Sequence, residues 1–327
     1  MSYDELSVRV NLLAGRIAAR TRLVEDIIYL FHKRMKISII GVGKLGGALA
    51  IALSRKGFKI ENLLARNSEK AKKIAELVES KPKIIFENEF AEITSDVILI
   101  TTQDFEIENV AQKLKENLRH KPIVFHTSGS LSSGILDDLR KIGCPVGSIH
   151  PLVSISDASL GAERFADAYF CVEGDDEAVK VGDQIVERLG GISFSVNAEY
   201  KTLYHASATA ASGHLVALVD VAIEMLTECG IEKANAQKIL LPLIKSTVEN
   251  LETQSTAQSL TGTVARADFK TLENHLKTLE ENVSAEAQEV YLQLAARSVH
   301  LAERQGANAL NLEKIRGKLL LAKNNLR

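Results

Sequence analysis

The sequence predicts an α/β protein in which a doubly wound, mostly parallel sheet is followed by an all-helical C-terminal domain. Three observations support this fold class. Short apolar segments alternate with helical segments of about a dozen residues, a glycine-rich turn follows the first apolar segment, and strand signals stop after Asn197. Alternation of this kind requires right-handed crossovers between parallel strands. We therefore predict an extension over residues 1–34, a sheet domain over residues 35–198 and a helical domain over residues 199–327.

Hydrophobic periodicity and the residues that begin or end helices place the elements. The β-branched run Lys36–Ile40 is the first strand, and Gly57 ends the first helix, Leu45–Lys56. Further strands are predicted at residues 58–65, 83–86, 96–102, 122–126, 145–149, 168–172 and 192–196. Further helices are predicted at residues 68–80, 106–118, 131–142, 176–189, 203–229, 234–252, 267–279, 285–305 and 311–325. Because helix 203–229 is rich in alanine, valine and leucine, we expect it to be buried on most faces.

Composition excludes several function classes. The 327 residues carry a net charge of -2, which gives no electrostatic reason to expect a nucleic acid or membrane partner. No uninterrupted apolar run approaches the roughly 20 residues that span a bilayer. The three cysteines form no Cys-x-x-Cys motif, which favours free thiols in a reducing, cytoplasmic setting. The histidines lack the spacing of a metal site, so we expect no bound metal.

The first 34 residues carry a helical apolar stripe of Leu23, Val24, Ile27, Ile28 and Phe31. We interpret the segment as an additional amphipathic helix. Two alternatives stay open: a mitochondrial transit peptide, although such peptides avoid the acidic residues found here, and a natural start at Met35, directly before the first strand.

The glycine loop Gly41-Val42-Gly43-Lys44-Leu45-Gly46 predicts a dinucleotide site of the Rossmann type. It follows a strand and opens a helix, which is the context that gives the motif its meaning. The first glycine allows a tight turn, the second lets the backbone approach the diphosphate, and the third lets helix and strand pack closely. The helix N-terminus adds amide donors and a partial positive charge for the phosphates.

The end of the second strand favours NADP over NAD. NAD sites carry an acidic residue at this position, whereas this chain has Arg66, Asn67 and Ser68. The arginine can pair with a 2′-phosphate, and the other two side chains add donors. The backbone of Thr101 and Thr102, which ends the fourth strand, is expected to line the ribose and diphosphate.

Four polar residues at the ends of strands are candidates for chemistry or capping. We interpret Asp104 as the cap of the following helix. Ser128 and Ser130 follow the next strand, and they hold either the nicotinamide ribose or the substrate. Ser130 is equally suited to cap the helix that follows. His150 precedes Pro151, so its backbone is extended; it is an acid, a substrate ligand or a turn residue.

Lys201, His205 and Ser212 lie within about 40° of one another on the predicted long helix. This stripe follows the domain boundary, and we expect it to face an interdomain cleft. Lys201 or His205 is then the proton donor, and Ser212 a substrate contact. The alternative is that Lys201 and Tyr204 are only interdomain surface.

A polar break in the helical domain holds Arg266 and Asp268. These residues can pair with each other, bind a substrate carboxylate or contact a partner subunit.

The motifs occur in a characteristic order. They are Gly41-x-Gly43-x-x-Gly46, Arg66-Asn67, His126-Thr127-Ser128-Gly129, Ser148-Ile149-His150-Pro151-Leu152, Tyr204-His205-Ala206, and Leu260-Thr261-Gly262 with Arg266 and Asp268. From Met35 to the last helices the chain resembles the Rossmann-like proteins with a DUF2520 C-terminal domain, which are relatives of pyrroline-5-carboxylate reductase and 6-phosphogluconate dehydrogenases. The resemblance implies an NADP oxidoreductase and a helical domain that forms a homodimer and closes over the nicotinamide.

The chain departs from the pattern of this family at three positions. Thr263 stands where the family tends to have proline, Ala267 where it tends to have glycine, and Gly213 where it tends to have asparagine. We predict an NADP-dependent oxidoreductase acting on a small polar substrate. The alternative is a non-catalytic NADP-binding sensor or assembly module.

Overall fold

The computed structural model describes residues 35–66 and 68–326, without the side chain of Ser68. The predicted extension over residues 1–34 and Asn67 therefore lie outside the described residues. The chain divides into two compact units, the first ending at Ala208 and the second beginning at Thr209. Each unit is described by itself.

The first unit contains one eight-stranded sheet. In sheet order the strands run β3-β2-β1-β4-β5-β6-β7-β8. All neighbours are parallel except β6 and β7, which are antiparallel. The predicted fold class is thus confirmed. In chain order the strands are β1 (Lys36–Ile40), β2 (Lys59–Leu64), β3 (Lys83–Ile85), β4 (Val97–Ile100), β5 (Ile123–His126), β6 (Val146–Pro151), β7 (Tyr169–Gly174) and β8 (Ile192–Phe194).

Helices cover both faces of this sheet. Every residue of β4 is buried; Leu99 packs into one apolar cluster and Ile98 into a second on the other face. Burial of both strand faces is what parallel βαβ crossovers produce. The helices of this unit are α1 (Lys44–Arg55), α2 (Ser68–Glu76), α3 (Asp104–Asn117), α4 (Asp137–Lys141), α5 (Ala158–Gly161) and α6 (Asp176–Leu189). Three 3₁₀ helices complete it, at Glu87–Glu92, Ser133–Leu136 and Ala198–Tyr200.

The predicted helix over residues 131–142 is partly wrong. This segment begins as an open loop, continues as the 3₁₀ helix Ser133–Leu136 and becomes α-helical only in α4. Side chains hold its first residues: the N–H of Leu131 donates to Ser128 Oγ (3.1 Å), and the N–H of Ser133 donates to a Glu173 carboxylate oxygen (2.8 Å). These contacts hold the start of the segment as a loop and satisfy amides that a helix N-terminus leaves free.

The second unit is helical, as predicted. Its core lies between the last three helices and includes Leu272, Leu292, Val299, Leu312 and Ile315. The helices from the end of the first unit onward are α7 (Lys201–Ala211), α8 (Gly213–Glu228), α9 (Lys233–Thr253), α10 (Phe269–Asn282), α11 (Ala285–Arg304) and α12 (Ala309–Asn325).

Two expectations about the long helix are wrong. The segment predicted as one helix over residues 203–229 is interrupted at Ser212, which leaves helical geometry with φ -119° and ψ -74° just before Gly213. Serine–glycine pairs are common sites of such breaks. The segment is also largely exposed, since Ile223 is the one buried residue of α8. The next helix, α9, is similarly exposed, with Ala236 as its one buried residue.

The helical stretch Ala198–Glu228 is long and apolar enough to cross a membrane by length and composition alone. The sequence analysis considered only uninterrupted apolar runs and therefore expected no segment of this length. A segment that contains a few isolated polar residues can still be apolar enough to span a bilayer. One such stretch is weak evidence for a membrane, although it is mostly exposed and therefore is not a buried core helix.

Candidate functional site

The glycine loop has the geometry that its sequence predicts. Gly41 has φ +103°, and a Cβ there would lie 2.8 Å from the backbone nitrogen of Thr102. A Cβ on Gly46 would collide with the carbonyl oxygen of Gly41. Thr101 Oγ1 donates to that same carbonyl (2.6 Å), which ties the loop to the end of β4. The first and third glycines are therefore required by the protein's own packing.

Gly43 differs from both of these glycines, because a Cβ on it would meet no protein atom within 4 Å. It is the N-cap of α1, whose first turn has no acidic residue. Among the described residues, the buried hydroxyl of Thr102 has no hydrogen-bond partner. Open space before an uncapped helix N-terminus, beside an unpaired hydroxyl, fits the diphosphate and ribose of a dinucleotide.

Arg66 lies in the turn after β2, with 78% of its side chain exposed. Its guanidinium forms an ion pair with Glu106 on the first turn of α3 (2.9 Å). The arginine thus stands where a 2′-phosphate would be bound, with a carboxylate as its partner in the protein.

Asp104, at the start of α3, connects this helix to the loop of residues 128–133 that follows β5, which we call the serine loop. Its carboxylate accepts hydrogen bonds from Ser128 Oγ and Ser130 Oγ, both at 2.8 Å. The interpretation of Asp104 as a helix cap is wrong, because Asp104 is already helical and its carboxylate points to the serines. Ser130 does not cap a helix at Leu131 either, since the nearest helix begins at Ser133.

His126 is the buried support of this serine loop. Its Nδ1 accepts from the N–H of Ser128 (3.2 Å), and its Nε2 donates to the carbonyl of Ser132 (3.1 Å). Burial lowers the pKa of His126 to about 4. The imidazole is therefore neutral at pH 7, in the form that this pattern of one donor and one acceptor requires.

His150 and His205 converge on Gly129. A Cβ on Gly129 would lie 2.7 Å from His150 Nε2 and 2.6 Å from His205 Cδ2, so only glycine fits between the rings. The two rings pack edge to face with centroids 5.7 Å apart. The hydroxyl of Tyr204 lies 2.6 Å from His150 Nδ1. Both histidines predicted as site residues thus lie together against the serine loop.

Burial determines the protonation of His150 and of Tyr204. Burial, with the nearby Lys201 charge as a second cause, lowers the pKa of His150 to about 4. Burial raises the pKa of Tyr204, so its hydroxyl keeps its proton and donates to His150 Nδ1. The proton of the neutral imidazole is then on Nε2, which makes that nitrogen a hydrogen-bond donor beside Gly129.

Lys201 is buried, with only 1% of its surface exposed. Its ammonium donates to Ser148 Oγ (2.9 Å) and to the carbonyl of Ser128 (3.4 Å), and lies 4.0 Å from a Glu173 carboxylate oxygen. Burial lowers the pKa of Lys201, while Cys171, Glu173 and Asp104 oppose this effect. The interpretation of Lys201 as interdomain surface is therefore wrong.

The structure brings together Ser128, His150, Lys201 and His205 in the first unit. Ser212, Arg266 and Asp268 belong to the second unit. Asp268 is the N-cap of α10: its carboxylate accepts from the N–H of Thr271 (3.1 Å) and from its hydroxyl (2.7 Å). No group of three or more potential metal ligands occurs within residues 35–66 and 68–326.

The sequence analysis missed two acidic residues of the site, Glu173 and Glu106, and misassigned a third, Asp104. Glu173 accepts from both the N–H and the hydroxyl of Ser133 (2.8 Å each) and faces Lys201. A carboxylate in the apolar strand 169–174 was the available signal, since a buried charge must be paired. Asp104 was seen but misassigned, and Glu106 carried no signal because first-turn acids are ordinary in helices.

Comparison with known proteins agrees with the fold and with its two-part organisation. A Rossmann-like domain model matches residues 25–151, and the model of a domain of unknown function, DUF2520, matches residues 168–298. A search of curated proteins found no match.

Several solved structures share the fold. A Bacteroides fragilis protein named as a candidate NADP oxidoreductase is 22% identical, with 82% of this chain and 99% of that chain covered and a TM-score of 0.67. A Thermotoga maritima protein is 27% identical, with the same coverage and a TM-score of 0.65. Pyrroline carboxylate reductase from Plasmodium falciparum, solved with NADP bound, is 14% identical, with 83% and 99% covered and a TM-score of 0.54.

Proposed function

Because this chain belongs to the proteins that join a Rossmann-like domain to a DUF2520 domain, we propose that it is an NADP-dependent oxidoreductase acting on a small polar substrate. The observation that carries the proposal is the open space at Gly43 before an uncapped helix N-terminus. Arg66 at the end of β2 supports NADP as the cofactor. Similar proteins named for NADP or solved with it agree with this choice.

NADPH, when bound, supplies a hydride. The chain's own contribution is to position the reacting groups and to handle the accompanying proton. Asp104 holds the Ser128 and Ser130 hydroxyls as donors toward its carboxylate. His150 offers an Nε2–H donor of neutral charge beside Gly129. The His150 donor is suited to a carbonyl or imine substrate, whose polar atom accepts a hydrogen bond, while the two serine hydroxyls, which donate to Asp104, offer acceptor oxygens.

We propose that His205 is the proton donor and that Lys201 is a positioning residue. The Lys201 ammonium is buried and holds Ser148 and the Ser128 carbonyl, which fixes the serine loop against β6. His205 is only partly buried and packs against His150. A partly exposed imidazole can exchange its proton with solvent between turnovers, whereas an enclosed ammonium exchanges it more slowly.

Incubation of the purified protein with NADPH and a panel of imino, keto and hydroxy acids tests this function. We expect one member to cause loss of the NADPH absorbance. His205→Gln should lower that rate by roughly 10²–10⁴-fold with NADPH affinity intact. His300→Gln, which changes an exposed histidine of α11 outside the site, is the matched control and should leave the rate unchanged.

The outcomes separate the two candidate functions. NADPH binding without turnover of any panel member would favour the non-catalytic sensor or assembly module. Absence of NADPH binding would reject both. A His205→Gln variant with the wild-type rate would reject the assignment of the proton donor while leaving the oxidoreductase in place.

We further propose a homodimer formed through the second unit. A groove of about 1020 Å³ between α8, α9 and α11 is lined almost entirely by apolar side chains, including Leu218, Leu243 and Leu251. An apolar helical face of this size needs a partner, and a second copy supplies an identical one. We also propose a soluble protein, since Lys201, within the apolar stretch 198–228, is buried with polar partners in the first unit.

A further inference from the structure

The ion pair between Arg66 and Glu106 crosses over the glycine loop. Arg66 follows β2, and Glu106 lies on the first turn of α3, which follows β4. In the sheet, β1 lies between β2 and β4, and the glycine loop leaves from its end. The N–H of Gly41 donates to the carbonyl of Leu64 (2.8 Å), which fixes the loop two residues before Arg66. The 2.9 Å contact of the two side chains therefore spans the place where the adenosine half of a dinucleotide lies.

The two partners differ in mobility. Glu106 belongs to a helix that is anchored in the core through Ile107 and Val110, and its own side chain is only 20% exposed. Arg66 stands in a turn with its side chain 78% exposed. The carboxylate is thus a fixed group, and the guanidinium is the part that can move between it and another anion. Because the guanidinium of Arg66 is largely exposed, its exchange from Glu106 to another anion costs little free energy.

We infer that Glu106 determines the cofactor preference by competing with the 2′-phosphate for Arg66, an inference that rests on the proposed function. NADPH carries a 2′-phosphate that must displace Glu106 from the guanidinium of Arg66 before it can pair with it. NADH carries a neutral hydroxyl at that place and does not need the guanidinium. Glu106 therefore weakens the binding of NADPH but not that of NADH. The affinities for NADPH and NADH are closer to each other than they would be with Arg66 alone.

Equilibrium titration with NADPH and with NADH, followed by calorimetry, tests this inference. In Glu106→Gln we expect NADPH to bind roughly fivefold more tightly, since an exposed pair has a strength of this order. NADH affinity should be unchanged, so the NADPH-to-NADH ratio rises by the same factor. Glu106→Ala is expected to act in the same direction. Because Glu106 lies on the helix surface, circular dichroism should show an unchanged fold.

Two further variants make the result specific. Glu163→Gln removes the carboxylate of another exposed arginine pair, with Arg55 at the opposite end of α1, and should leave both affinities unchanged. In an Arg66→Gln background, Glu106→Gln should change NADPH affinity by less than about twofold, because the competition needs the arginine.

An unchanged affinity ratio in Glu106→Gln and Glu106→Ala, or a full effect that persists without Arg66, would overturn the inference. A wild-type chain that binds neither nucleotide would overturn the proposed function, and this inference with it. The two failures are therefore distinguishable from the wild-type titration alone.

Discussion

Burial decides the protonation of the histidines that support the site. His126 is enclosed beneath the serine loop, and its pKa of about 4 keeps it neutral where an exposed histidine begins to titrate. A neutral His126 both donates and accepts, so the loop that carries Ser128 is held in one conformation. Protonation would remove the acceptor and leave the N–H of Ser128 facing a cation. The geometry of the site thus depends on a group that does not touch the substrate.

This dependence predicts a loss of stability in mild acid. Between pH 6.5 and 5 the unfolded chain protonates His126 and the folded protein does not, so the free energy of unfolding should fall as the pH decreases. With a folded pKa of about 4 the expected loss from this residue is roughly 1.5 kcal/mol over that interval. Urea unfolding at a series of pH values, followed by circular dichroism, measures it.

Two variants assign the effect to the buried ring. His126→Asn removes one of two such groups and should reduce the dependence by roughly half over the same pH interval, because His150, whose pKa is also about 4, keeps its own contribution. His300→Gln changes an exposed histidine of α11 and should keep the wild-type slope. A wild-type slope in His126→Asn would contradict the account of the loop.

At the scale of elements, caps and turns place several residues that sequence inspection regarded as functional. Asp268 caps α10 through Thr271. Just before it, Ala267 has φ +49° and is buried. A residue in this left-handed region explains why related chains tend to have glycine there, since only glycine adopts it without a steric cost. The break between α9 and α10 is therefore formed in part by the left-handed backbone at Ala267 and by the N-cap of α10 at Asp268.

Removal of the α10 cap should destabilise the second unit. Asp268→Ala leaves the N–H of Thr271 without its acceptor, and we expect the melting temperature to fall by roughly 2–5 °C. Asp268→Asn keeps an oxygen acceptor and should stay within about 1 °C of the wild type. Thermal unfolding followed by circular dichroism compares them. Equal melting temperatures for the alanine variant and the wild type would show that the cap has no structural role.

The sequence predicts elements well where one local signal decides them. Helix α6 has the predicted bounds, because its periodicity is regular and Gly190 ends it in a left-handed conformation. The start of residues 131–142 was mispredicted because a contact remote in sequence helps to hold it: Glu173, forty residues beyond Ser133, accepts from the N–H of Ser133. Lys201 and His205 were found by spacing, but which of them is buried depends on β6 and β7, which no local pattern records.

At the scale of the whole molecule, the second unit exposes an apolar surface that a monomer has little reason to keep. Leu243 is 64% exposed on α9 and Val216 is 70% exposed on α8. Substitution of an exposed leucine costs the fold of one chain little, yet it places a charge in the proposed contact between two copies.

Leu243→Glu should therefore convert a dimer into a folded monomer. Light scattering after size-exclusion chromatography measures the mass, and circular dichroism checks the fold. Leu320→Glu, at a leucine of α12 that is 61% exposed and lies outside the groove, is the control and should leave the dimer intact. A wild-type chain that is monomeric at micromolar concentration would contradict the proposed assembly.

The central claim is that the glycine loop binds a dinucleotide, and substitution of Gly43 tests it most directly. A methyl group there meets no protein atom, and φ -86° is allowed for alanine, so Gly43→Ala should change the melting temperature by no more than a few degrees. The same methyl would occupy the space of the diphosphate, so NADPH affinity should fall by at least roughly tenfold. Gly317→Ala, at a glycine of α12 where a Cβ also meets nothing, should leave the affinity unchanged. Calorimetric titration of the three proteins with NADPH is the measurement: selective loss in Gly43→Ala is the predicted result, and equal affinities, or no binding by the wild type, would contradict the account.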